Sequence, residues 1–128
     1  MTQSMVGRPA RGRAAQARGV KAEQAACVAL EHEGWVVLAR RLRNAADELD
    51  VVVERDGLLA FIEVKARPDL LSAAVALGPR QRARLLAAGE VALAENPSWG
   101  RNGVRFDMLL VDDAGRVRRI ADAFRQEG

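Results

Sequence analysis

An alternation of apolar and polar residues over 47–67 predicts a β-hairpin in the middle of the chain. The segment reads DELDVVVERDGLLAFIEVKAR, with a β-rich run on either side of Asp56 and Gly57. A two-residue Asp-Gly loop between such runs is the strongest short-range signal for a hairpin. Counting outward from this loop predicts that Asp50 lies directly opposite Glu63.

The same register divides the predicted hairpin into two faces, because side chains alternate along a strand. One face is apolar and belongs to the core, and it holds Leu49, Val51, Val53, Ala60, Ile62 and Val64. The other face carries charge, and it holds Glu48, Asp50, Val52, Glu54, Leu59, Phe61, Glu63 and Lys65. Lys65 is expected opposite Glu48. Like charges directly opposite each other are destabilising, so the pairing of Asp50 with Glu63 requires a physical reason.

A divalent cation between the two carboxylates would remove the repulsion. Carboxylates together with a backbone carbonyl suit a hard ion such as Mg²⁺, which keeps several water ligands for a phosphate-bearing substrate. Lys65, on the same face as Glu63, would supply a positive charge to a phosphate at this site. The alternative is that these residues form the solvated face of an antiparallel pair.

Helical periodicity predicts a helix from about Gly19 to Glu33, with Gly34 as the residue that ends it. Its apolar stripe includes Ala26 and Leu30. Glu23 has the same helical spacing as these residues and is therefore expected to head the stripe rather than face away from it. The alternative for Glu23 is an acid of the first turn that complements the helix dipole.

The remaining pattern predicts a strand over 35–43, a second helix over 79–96, a strand over 104–111 and a short strand over 116–120. Gly89 lies inside the second helix and costs about 1 kcal/mol relative to Ala. The strand over 35–43 becomes basic at its end, in Arg40, Arg41 and Arg43.

Composition indicates a single domain over 19–128 preceded by a basic arm over 1–18 that we expect to be disordered. The chain has 128 residues, a formal net charge of +3 and a sequence pI near 10.0. This balance favours a polyanionic partner, although a solubilising tail is an equally good interpretation of the arm. The single Cys27 and the lack of a long apolar run predict a cytoplasmic protein without a membrane segment.

The central hairpin resembles the active-site segment of the PD-(D/E)xK nucleases, in which Asp, a tight hairpin and Glu-x-Lys follow one another. Leu49 stands where the Pro of that name would be. Together with the element order, the chain resembles the small bacterial YraN-like family over about residues 19–111. This likeness depends on Gly19-x-x-x-Glu23-x-x-Ala26, Glu48-Leu49-Asp50-Val51, Phe61-Ile62-Glu63-Val64-Lys65-x-Arg67 and Arg105-Phe106-Asp107.

The resemblance implies an α/β fold with a restriction-endonuclease-like αβββαβ core, in which helices flank a mixed sheet, and an architecture like that of Holliday-junction resolvases. It implies Asp50 and Glu63 as ligands of Mg²⁺ or Mn²⁺ and the Val64 carbonyl as a third ligand. It implies Lys65 as the catalytic lysine, with Glu23 and Gln81 beside it. Gln81 stands where the family usually has Lys.

The implied reaction is hydrolysis of nucleic-acid phosphodiester bonds, with DNA, and branched DNA in particular, as the expected substrate. A homodimer is left open. The expected nucleic-acid-binding residues are Arg8, Arg11, Arg13, Arg18, Lys21, Arg67, Arg80, Arg82 and Arg84. Two alternatives remain at this point: a non-catalytic nucleic-acid-binding module with the same fold, and a protein-interaction domain whose hairpin charges are incidental.

Overall fold

The computed structural model of the chain describes residues 10–68 and 78–120. The elements are helix α1 (Ala10–His32), strands β1 (Val36–Arg43), β2 (Glu48–Arg55) and β3 (Leu58–Ala66), helix α2 (Pro79–Glu95), and strands β4 (Val104–Val111) and β5 (Val117–Ile120). The predicted order of helix, three strands, helix and strand is confirmed, and the short strand predicted over 116–120 is confirmed as β5. Neither of these helices combines the length and the hydropathy that a membrane span requires.

The five strands form one sheet in the order β1-β2-β3-β4-β5. All neighbours are antiparallel except β3 and β4, which are parallel. A parallel pair needs a crossover connection, and α2 lies in the segment that joins β3 to β4. Buried residues of α1 pack on one face of the sheet and those of α2 on the other. The fold is therefore α/β, and it is consistent with the expected restriction-endonuclease-like core.

The central hairpin forms around the predicted turn. Asp56 and Gly57 have φ values of 53° and 80°, as a two-residue type I′ turn requires. The β2–β3 ladder runs from the Arg55–Leu58 pair next to the turn as far as Val51, which pairs with Ile62. The predicted register is confirmed over this stretch.

The predicted register is wrong beyond Val51, because the ladder between β2 and β3 ends there. If the ladder continued, the backbone of Leu49 would pair with the backbone of Val64. Instead the Val64 N–H donates to Oδ2 of Asp50 at 2.9 Å. The Asp50 carboxylate therefore lies in the fork where the two strands separate.

The side chains next to this fork also differ from the period-2 prediction. Leu49 packs in the cluster under α2 rather than on the α1 face. Lys65 Nζ pairs with Glu63 at 3.2 Å, whereas Glu48 pairs with Arg43 at 3.5 Å. The expected pairing of Lys65 with Glu48 is wrong for the same reason: the strands are no longer in ladder register here.

Helix α1 begins at Ala10, nine residues before the predicted start at Gly19. Residues 10–18 are therefore helical, not part of a disordered arm, and 1–9 lie outside the described residues. Most of 10–18 are Ala, Arg and Gln, which have high intrinsic helix propensity. The end of the helix agrees with the prediction, since Gly34 has a φ of 91°. The buried stripe consists of Ala22, Ala26, Cys27 and Leu30.

The Arg105-Phe106-Asp107 motif on β4 contributes side chains to both faces of the sheet. Phe106 packs on Phe61 on the α2 side, with ring centroids 5.0 Å apart. Asp107 is fully buried and accepts from Nε of Arg105 at 3.1 Å and from Nη2 of Arg119 at 2.6 Å. This motif therefore stabilises the sheet at a position separate from the fork.

Gly89, which lowers the helix propensity of α2, allows the helix to approach the sheet closely. A Cβ at this position would lie 2.8 Å from Cζ of Phe106 and 3.1 Å from Cε2 of Phe61. Both rings are part of the packed α2 face, so they have little room to move. The apparent defect in the helix sequence is therefore a packing requirement.

Gly89→Ala is expected to destabilise the protein by up to about 2 kcal/mol, because an overpacking cost of about 1–3 kcal/mol outweighs the gain of about 1 kcal/mol in helix propensity. Gly19→Ala in α1 is the matched control, since a Cβ there meets nothing within 4 Å. Chemical denaturation should show opposite signs for the two variants. A stabilised Gly89→Ala variant would contradict the packing explanation.

Candidate functional site

The fork between β2 and β3 brings the two candidate metal ligands together. Asp50 is partly buried, and Glu63 is only 9% exposed. The hydrogen bond from Val64 N–H fixes Oδ2 of Asp50 at the fork. The N–H and C=O groups of a strand residue point to the same neighbouring strand, so the Val64 carbonyl is also directed into the fork. Three oxygen-bearing groups thus meet where the sheet opens.

Two further predicted residues contact Glu63. Lys65, on the same strand, lies with Nζ 3.2 Å from Oε2 of Glu63 and has a side chain that is 22% exposed. Gln81, in the first turns of α2, donates from Nε2 to the same oxygen at 3.0 Å. A lysine and an amide from different elements therefore hold the orientation of this carboxylate.

Burial and neighbouring charge raise the pKa of Asp50 to about 7, well above its ordinary value. Desolvation is the largest cause, followed by the negative charge of Glu63. The Val64 N–H opposes the shift, whereas a hydrogen bond with Glu63 and the charge of Glu23 add to it. Near neutral pH, Asp50 therefore gains or loses its proton in response to small changes in the site.

Glu23 reaches the site from α1, on the face of the sheet opposite α2. Its side chain is 12% exposed, and its Oε1 accepts from Nε of Arg41 at 2.9 Å. Nη2 of Arg40 lies 3.9 Å from the same oxygen. The prediction that Glu23 heads the buried stripe of α1 is confirmed by this low exposure, and its partner Arg41 lies on β1 across from Asp50.

The donor set at the fork fits a hard divalent cation. Asp50 and Glu63 repel each other when both are ionised, and a cation bound between them would relieve that cost. In the described part of the chain, no group of three or more His, Cys, Asp or Glu side chains converges on a common point. Two carboxylates and a carbonyl, completed by water, match the preference of Mg²⁺ for few protein ligands.

The predicted nucleic-acid-binding residues on α2 have different environments. Arg80 is exposed, whereas Arg82 is partly buried and its Nε has no hydrogen-bond partner within the described segments. Arg84 is exposed and pairs with Asp47 at 3.1 Å. Since Gln81 contacts Glu63 from the same turn, the basic start of α2 lies beside the carboxylates.

The other predicted binding residues are more scattered. Arg67 follows β3, and its Nη1 donates to the carbonyl of Ala66 at 2.7 Å. Lys21 is exposed and lines a groove of about 910 Å³ between α1 and the β4–β5 turn. Arg8 and the side chains of Arg11, Arg13 and Arg18 lie outside the described residues.

The residue that sequence reasoning did not assign to the site is Arg41. Its guanidinium holds Glu23, and Arg40 lies next to it on the edge strand β1. The available signal was the basic end of the 35–43 segment. Helix and strand patterns do not show which of several neighbouring arginines contacts a carboxylate on the helix that packs against the sheet.

Comparison with known proteins gives a consistent set of similarities. The model of the uncharacterised protein family UPF0102 matches residues 22–111. A UPF0102 protein of Granulibacter bethesdensis is 57% identical over 90% of this chain and 73% of its own length. UPF0102 proteins of Azorhizobium caulinodans and Acidiphilium cryptum are 47% and 48% identical, each over 94% of this chain and 93% of their own length.

Proposed function

The chain belongs to the UPF0102 family, also called the YraN family, and we propose that it is a divalent-metal-dependent endonuclease that hydrolyses phosphodiester bonds in nucleic acid. The observation that carries this proposal is the pair of carboxylates at the β2–β3 fork. Asp50 and Glu63 lie together at a cost, as the raised pKa of Asp50 indicates. Carboxylates on a fully solvated face would not incur this cost of desolvation and mutual repulsion.

In this proposal, Asp50, Glu63 and the Val64 carbonyl hold Mg²⁺ or Mn²⁺. A bound divalent cation would supply Lewis-acid chemistry, lowering the pKa of coordinated water and offsetting charge on the phosphate. The Val64 N–H keeps Asp50 in place, and the Gln81 amide does the same for Glu63. These contacts prepare the ligands before the substrate arrives.

Lys65 has the catalytic role in the proposal. Its ammonium group lies within 3.2 Å of Glu63 and is only partly exposed, so a phosphate at the fork would meet a poorly solvated positive charge. Negative charge increases on the phosphate as the nucleophile adds, and a positioned cation stabilises that state more than the ground state. Loss of Lys65 should therefore slow the chemical step rather than weaken binding.

DNA is the proposed substrate, and the basic start of α2 is proposed to contact its backbone. Arg80 and Arg84 are exposed beside the turn that carries Gln81. Phosphate contacts of this kind are independent of sequence and depend strongly on salt. These phosphate contacts would hold a DNA duplex or a branched DNA across the fork.

The proposal is tested by incubating the purified protein with Mg²⁺ or Mn²⁺ and a panel of labelled duplex, single-stranded and four-way-junction DNAs and matching RNAs. Metal-dependent cleavage by the wild-type protein and its loss in Glu63→Gln are expected. Glu90→Gln, on the exposed surface of α2, is the control for removal of one acid. Binding without cleavage on every substrate would instead support a non-catalytic nucleic-acid-binding module.

A further inference from the structure

Arg41 adopts a backbone conformation that β-strands normally exclude. Two non-glycine residues of the described segments have a positive φ: Asp56, in the hairpin turn, and Arg41, with a φ of 52° inside β1. The turn explains Asp56. Arg41 has a Cβ that makes the left-handed region unfavourable, and such residues concentrate at binding and catalytic sites.

The position of Arg41 relates this conformation to the fork. Arg40 pairs with Val51 and Leu42 with Leu49, so Arg41 stands across from Asp50. Its Nε donates to Oε1 of Glu23 at 2.9 Å, and half of its side chain remains exposed. One end of the guanidinium therefore contacts an acid of the site while much of the group faces solvent.

We propose that Arg41 binds a backbone phosphate of the substrate at the mouth of the fork, and that Glu23 holds its guanidinium in position until the phosphate arrives. This inference rests on the proposed nuclease function and assigns a substrate contact within it. A guanidinium presents several N–H donors in one plane and can bind a phosphate through two of them while it keeps a third partner. Nε is the donor that Glu23 uses, and the exposed part of the group is the part a phosphate would reach.

A second observation supports a phosphate rather than a purely internal role. β1 is an edge strand, and its basic end carries Arg40, Arg41 and Arg43, all exposed. The acids that these arginines contact belong to the site or border it. Arg40 and Arg41 contact Glu23, and Arg43 contacts Glu48. A polyanion that approaches the fork from the β1 edge would meet these arginines before it met the carboxylates, which repel it.

The test measures binding of intact labelled duplex and four-way-junction DNA in Mn²⁺, in a Lys65→Met background, with gels to confirm that the DNA stays uncut. Arg41→Gln is expected to weaken binding at least tenfold and to lower the log–log salt slope by about 1. Arg41→Lys keeps the charge and should preserve most of the slope while losing part of the affinity. Arg101→Gln is the control, because Arg101 is exposed and its neighbour Asn102 donates from its backbone N–H to Gly57 in the hairpin turn, at the opposite end of β3 from the fork.

If the parent binds DNA and the Arg41→Gln variant binds it with an affinity within twofold of the parent, the role of Arg41 is overturned. The proposed function is not affected by that result. Failure of the parent to bind any of the DNAs would overturn both the role of Arg41 and the proposal that DNA is the substrate. Melting curves add an independent readout. In a Glu23→Gln background, where the ion pair is already lost, Arg41→Gly should raise the melting temperature by a few degrees, because glycine adopts positive φ freely. A lower melting temperature would show that Arg41 serves the fold rather than the substrate.

Discussion

Lys65→Met should lower the single-turnover rate of DNA cleavage by about 10²–10³-fold, comparable to the loss of one positioned donor to a developing oxyanion. The lysine is 3.2 Å from Glu63 and largely shielded from water, so its charge acts on a phosphate at the fork with little screening. Binding of DNA and Mn²⁺ should be retained. The variant therefore separates the chemical step from association.

Arg118→Met is the control for this comparison, since it removes one exposed positive charge from β5. It should cleave at the wild-type rate when DNA is saturating. If Lys65 were only the ion-pair partner of Glu63, Lys65→Met would cost up to about 3–5 kcal/mol of stability, because the pair is poorly solvated, and would leave cleavage unchanged. Wild-type cleavage by Lys65→Met would thus remove its catalytic role.

Asp50→Asn should make the metal-free protein more stable at pH 8, by up to about 4 kcal/mol given the raised pKa of Asp50. The Asn side-chain oxygen can still accept from the Val64 N–H, so the shape of the fork is kept while the repulsion with Glu63 is removed. The same variant should lose Mn²⁺ binding. A site built for function at the expense of stability shows this pattern.

The pH dependence of stability follows from the direction of the Asp50 shift. The folded-state pKa of about 7 lies above the unfolded value of 3.8, so the folded protein binds this proton more tightly. The stabilisation that comes from the protonated Asp50 side chain is complete below the unfolded pKa and is lost as the pH rises through the folded pKa. Metal-free wild type should lose stability relative to Asp50→Asn between about pH 4 and 7. Parallel stability curves for the two proteins would contradict the assignment.

The hairpin was predictable because local chemistry determines it. Asp56 and Gly57 tolerate positive φ, which fixes a two-residue turn and therefore the register as far as Val51 and Ile62. The alternation rule fails at Asp50, because its carboxylate takes the Val64 N–H that a ladder partner would otherwise use. A side chain that replaces a backbone acceptor leaves no trace in a period-2 pattern.

Other features were missed for different physical reasons. The start of α1 at Ala10 was hidden because its first residues lack the apolar stripe that marks a packed helix. The sequence showed only the cost of Gly89, since its benefit depends on contacts with β3 and β4. Arg41 has no sequence signature for its positive φ, because an arginine, unlike a glycine, does not mark a left-handed position. The resemblance supplied the placement of Gln81 beside Glu63, which no periodicity gives.

Calorimetric titration of Mn²⁺ into wild type, Glu63→Gln and Glu90→Gln tests the central claim most directly, because it does not require the right substrate. Glu63 lies in the fork, and Glu90 is an exposed acid on α2. Wild type and Glu90→Gln should bind Mn²⁺ with the same affinity, and Glu63→Gln should show no binding. Equal affinities in all three proteins, or no binding to wild type, would contradict a metal site at the β2–β3 fork.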